Sequence, residues 1–82
     1  MKQVIDSDNL APEQRLANAI IVQAAEDYRT CIRNLKINPR HKESLAMLQD
    51  CEDFFRSDWY QILTKLDGEM IMQKIREEEH TP

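Results

Sequence analysis

Apolar positions between Ala17 and Leu35 recur at steps of 4, 3, 4, 3 and 4 (Ala17, Ile21, Ala24, Tyr28, Cys31, Leu35), which keeps one face of a helix turned toward a neighbour. Leu16, Ile20 and Ile32 widen that stripe, and the small Ala17 and Ala24 would let another helix approach closely. Pro12 suits a first helical turn, where its missing N–H would have no partner anyway, and Glu13 suits the positive end of the helix dipole. The pattern predicts a helix from about Pro12 to about Lys36. Pro39 disfavours helical geometry at Asn38, so the helix stops there, and the short connection predicts an antiparallel return.

A second stripe, Leu45, Leu48, Cys51, Phe55, Trp59, Ile62 and Leu66, starts near His41 to Glu43 and never slips phase. It allows one long helix. Ser57-Asp58, an N-cap pair just before Trp59, offers the alternative of a break near Arg56. Asp67-Gly68 is stronger punctuation: Asp67 can cap a further helix carrying Glu69 in its first turn and Met70, Ile71 and Ile75 at helical spacing. Glu77-Glu78-Glu79 opposes the dipole at a helix C-terminus, so fraying is expected there. The fold expected is all-α: an antiparallel helical hairpin closed by one or two short C-terminal helices. Its parts would be an N-terminal arm over 1–11, one domain over 12–79 and a frayed tail over 80–82.

Composition supports this. With 82 residues the chain makes one domain, and one Gly and three Pro are too few for the turns of a strand-rich fold. No apolar run approaches the roughly 20 residues that span a bilayer, and Lys2, Val4, Ile5 and Asp6 do not make a signal peptide. The cytoplasm is the expected compartment. In it Cys31 and Cys51, both on apolar stripes, are expected as buried free thiols.

The net charge of −4 disfavours a nucleic-acid partner. A local basic strip, Arg29, Arg33, Lys36, Arg40 and Lys42, could still meet DNA, although a helix C-terminus and its following loop explain the same residues. No CxxC, HxxxH or HExxH occurs, no serine sits in a nucleophile elbow, and one glycine cannot build a phosphate cradle. No catalytic residue, cofactor or metal is expected, so the chain reads as non-enzymatic.

Four of the five aromatic residues fall within residues 54–60. Phe55 and Trp59 share the stripe's phase and belong to the core by that reasoning. Phe54 and Tyr60 lie one residue off, about 100° around the axis, where partial exposure is expected. With the acidic Asp50, Asp53 and Asp58 they form the expected partner-binding surface, suited to a basic protein. A solvated acidic helix face, with the aromatics folded under the last helix, is the plainer alternative. The generous stripe width also predicts a homodimer.

The segments AIIVQAAEDYR (19–29), FFRSDWY (54–60) and LTKLDGE (63–69) together resemble small helical proteins of prophages and mobile elements of Gram-positive bacteria. The resemblance spans roughly residues 17–78. It implies a phage or mobile-element setting, brings no catalytic residues, and points to an accessory protein that binds and inhibits or regulates a host or phage protein. A DNA-associated regulator of transcription or recombination is the alternative.

Overall fold

The computed structural model describes residues 11–80, which form four helices: α1 (Pro12–Ile37), α2 (Lys42–Phe55), α3 (Asp58–Leu63) and α4 (Gly68–His80). No strand occurs among the described residues. The expected arm, apart from Ala11, and Thr81 and Pro82 of the expected tail lie outside them.

α1 runs about 39 Å at 1.5 Å per residue. Gln14 Oε1 accepts from the Ala11 N–H (3.1 Å) at its start, and Pro12 occupies the first turn as expected. Asn38 takes an extended conformation and ends the helix. Its side chain accepts from the Arg40 N–H at 3.2 Å, and its carbonyl from the His41 N–H at 3.0 Å, which tightens the turn into α2. His41 then caps α2, Nδ1 accepting from the Ser44 N–H at 3.2 Å. Ser44 is the buried polar side chain of this end, and its hydroxyl is satisfied by Asn34 (3.2 Å) and His41 (2.8 Å).

α1 and α2 form the hairpin, and α3 and α4 close it. Tyr28, Cys51, Phe55, Tyr60, Met72 and Ile75 make the central core, with Ile21, Ala24, Ile32 and Leu48 packed against it. Ala17, Tyr28 and Cys31 of the first stripe are buried as the periodicity requires. Both cysteines are buried and free. Burial pushes the Cys31 thiol up, with Asp27 adding to it, and pushes Cys51 up to about 11, chiefly by burial and then by Cys31 and neighbouring carboxylates. Neither is a ready nucleophile at neutral pH.

The second stripe departs from expectation. Ser57 breaks the helix: its hydroxyl accepts from the Tyr60 N–H (3.0 Å) and donates to the Phe54 carbonyl (2.7 Å). This cap resets the helical phase and α3 ends at Leu63, so Trp59 and Ile62 on α3 and Leu66 in the connection to α4, all expected inside, are 53%, 80% and 63% exposed. Leu45, at the stripe's beginning, is also exposed.

Asp67 caps α4 as expected, Oδ1 accepting from the Glu69 N–H at 3.0 Å. The predicted fraying of its C-terminus does not occur through His80, because Glu78 and Glu79 are held by α1: Arg29 reaches Glu78 at 2.7 Å, and Arg33 reaches Glu79 at 2.9 Å. Tertiary pairing offsets the unfavourable dipole term. Gly68 lies against the end of α2, where a Cβ would overlap the Phe55 carbonyl oxygen and sit 3.0 Å from its carbon. The only glycine of the chain is there to let two backbones meet.

One buried hydroxyl ties three helices together. Tyr28 of α1 donates to Glu52 Oε2 of α2 at 2.8 Å and accepts from Arg76 Nη1 of α4 at 2.8 Å. Burial raises the Tyr28 phenol, the Arg76 hydrogen bond works against that rise, and Glu52 adds to it.

Candidate functional site

The corner between α2 and α3 concentrates the aromatic chemistry. Phe54 stands at its centre, with edge-on contacts to Phe55 (5.4 Å between centroids), Trp59 (5.5 Å) and Tyr60 (5.6 Å). Such T-shaped pairs add about 0.5–1.5 kcal/mol each beyond burial. Phe55 and Tyr60 form the inner half, joined to Tyr28 through Phe55 at 6.2 Å. Phe54 is half-buried between the two halves, and Trp59 is the outer half.

Two of the expected positions are therefore exchanged. Tyr60, expected at a partly exposed flank, is 1% exposed, while Trp59, expected in the core, is 53% exposed. The reason is the cap at Ser57. Counted from that cap, Tyr60 and Leu63 share the inward face of α3, and Trp59 and Ile62 share the outward one. The Tyr60 hydroxyl makes no hydrogen bond to a described residue; burial raises its phenol, and Asp67 adds to the rise.

Asp50, Asp53 and Asp58 are all exposed. Asp50 precedes Phe54 by one helical turn and so shares its side of α2, and Asp58 opens α3 immediately before Trp59 in the chain. Asp53 accepts from Gln49 at 3.0 Å. Arg56 lies within this acidic set but is taken up by Glu69, and it reaches Glu52 at 3.6 Å. Its hydrogen bond holds the Glu69 carboxyl below the usual carboxylate range. The surface thus combines exposed apolar area on Trp59 and Ile62 with Asp50, Asp53 and Asp58. Trp59 and Ile62 were missed by periodicity alone; the signal that would have found them is the Ser57-Asp58 cap, once the phase is restarted there.

The basic strip is divided. Arg29 and Arg33 pair with Glu78 and Glu79, while Lys36, Arg40 and Lys42 remain on the exposed surface toward the hairpin turn. Among the described residues no group of three His, Cys, Asp or Glu side chains is placed to hold a metal ion. No described helix is long and apolar enough to cross a membrane. Comparison with known protein families, with curated proteins and with solved structures finds no match for this chain.

Proposed function

We propose that the protein is a non-enzymatic interaction module that docks a basic protein partner on the α2–α3 corner, as an accessory protein of a phage or mobile element acting in the host cytoplasm on a host or phage protein. The observation that carries this reading is the exposed Trp59, in edge contact with Phe54 and one helical turn from the exposed Ile62, on a corner whose two helices also carry the exposed Asp50, Asp53 and Asp58. Tryptophan is the residue type most enriched at binding hot spots, and contiguous exposed apolar area bordered by charge is what partner surfaces present. Burial of the indole would supply affinity, and the carboxylates would supply orientation and association rate. Tyr60 takes a different part from the one its spacing suggested: it supports the corner from inside.

The test compares wild-type protein with Trp59→Ala and Ile62→Asp in pull-downs from host lysate, followed by affinity measurement on the retained protein. Loss of a hot-spot tryptophan costs about 2 kcal/mol or more, roughly 30-fold in affinity, with the melting temperature little changed. A partner that is not basic, or one held with full affinity by folded Trp59→Ala, sinks the reading. Self-association through the same exposed apolar positions is the second reading, favoured by the exposure of Leu16, Ile62 and Leu66. Sedimentation of wild-type and Ile62→Asp protein separates it from the first.

A further inference from the structure

Apart from the aromatic corner, α1, α2 and α4 leave between them a pocket of about 250 Å³. Ile32 and Leu35 of α1 and Leu48 of α2, each half-buried, form its apolar walls. Tyr28, fully buried, also lines it, with its hydroxyl already engaged by Glu52 and Arg76. The cationic side chains Lys36 and Arg76 also line it, together with His80. Against them stands one lining carboxylate, Glu52, which is held by the Tyr28 hydroxyl and approached by Arg56 at 3.6 Å. Glu79, which also interacts with Lys36, is bound by Arg33 at 2.9 Å. The pocket is therefore apolar within and offers positive charge to whatever enters.

We infer that this pocket binds a small apolar monocarboxylate, its aryl or alkyl body seated among Ile32, Leu35 and Leu48 and its carboxylate at Arg76 and Lys36. Size sets the class. An apolar cavity of about 150 Å³ accepts benzene, and drug-sized ligands occupy about 300–1,000 Å³. The volume here lies between, enough for one ring and a short carboxylate arm. Charge sets the sign of the head group. Arg76 donates through Nη1 to Tyr28, which fixes the guanidinium in place, and a guanidinium carries five N–H groups in a planar fork that matches a carboxylate. The Tyr28–Glu52–Arg76 hydrogen bonds hold the Arg76 side chain in one position, which lowers the ordering cost of binding. The site shares no lining residue with the docking surface proposed above and does not depend on it.

The test is an amide NMR titration of the whole labelled protein with 3-phenylpropionate, 3-phenylpropan-1-ol and 3-phenylpropylammonium. Saturable shifts are expected with the carboxylate at Ile32, Leu35, Leu48 and Arg76. The alcohol should bind about tenfold more weakly, the loss of one charge-assisted contact, and the ammonium should not bind there. Arg76→Gln should weaken the carboxylate about tenfold. Lys36→Gln, a change at an exposed position, should weaken it too and leaves the Tyr28 hydrogen bonds untouched. Equal binding of alcohol and carboxylate, saturable binding of the ammonium at these residues, shifts clustered instead at Trp59, or no saturable shift up to the ligand's solubility would each overturn the assignment.

Discussion

The two halves of the α2–α3 corner are built from the same kind of residue and meet opposite fates. Phe55 and Tyr60 are 2% and 1% exposed, while their immediate neighbours Phe54 and Trp59 are half-buried and 53% exposed. Hydrophobicity does not explain the division, because Ile62 and Leu66 lie outside and a tyrosine with a polar hydroxyl lies inside. Helical register does. Ser57 interrupts the helix, its cap restarts the phase, and the residue that then faces Tyr28 and Met72 across the core is Tyr60. Which aromatic is buried and which is exposed is thus decided by one hydroxyl cap, not by the rank of the side chains.

The comparison breaks most directly under alanine substitution. Tyr60→Ala should destabilise the fold by about 3–5 kcal/mol, the range for removing a large buried aromatic. In a domain this small that leaves much of the population unfolded. Trp59→Ala should cost about 1 kcal/mol, the value of its edge contact with Phe54. Denaturant titration of both variants measures the contrast, and equal or reversed costs would mean that the two halves are not distinct.

Gly68→Ala sharpens the picture from the side of α4. Helix propensity alone would favour alanine there by up to about 1 kcal/mol, but its Cβ would meet the Phe55 backbone, which cannot rotate away. A net loss of about 1–3 kcal/mol is expected, seen as a fall of roughly 5–20 °C in melting temperature for a domain of this size. A more stable variant would show that α4 does not press on the inner half of the corner.

The smallest effect is that of pH. Hydrogen bonds from Arg56 and Arg33 hold the Glu69 and Glu79 carboxyls below their ordinary range. A carboxyl lowered in the folded state contributes stability that is present above its unfolded value of about 4.3 and is lost as pH falls through the folded value. Both groups are exposed or near the surface, so salt should weaken the effect as well. Amide exchange followed on acidification should show α4 loosening at both ends before Phe55 and Tyr60 lose protection. Simultaneous loss throughout would deny the pairs any separate role.

The sequence makes the hairpin legible because its signals are local or periodic. Pro12 and Asn38-Pro39 bracket α1, and its stripe predicts the buried Ala17, Tyr28 and Cys31. The Ser57 and Asp67 caps are each recognisable from one side chain. What is illegible depends on residues far apart in the chain. Glu78 and Glu79 look like a fraying end until Arg29 and Arg33 come beside them. Gly68 looks like plain punctuation until Phe55 is placed against it. The expected partner surface differs for a third reason: the Ser57 cap cancels the period that the apolar residues keep from Leu45 to Leu66, so Trp59 stands where the spacing places Tyr60.

The pairing of the α4 terminus with α1 has a further consequence, best put in the language of polyelectrolytes. Proteins that grip nucleic acid gain much of their affinity from the small cations that leave the phosphates as Lys and Arg replace them. On this protein a resident polyanion already occupies part of the strip, since Arg29 and Arg33 are neutralised by carboxylates of their own chain. A phosphate backbone approaching them would have to evict Glu78 and Glu79 and leave them beside it, like charge against like charge. The same contacts that close α4 onto α1 therefore screen Arg29 and Arg33 from other anions.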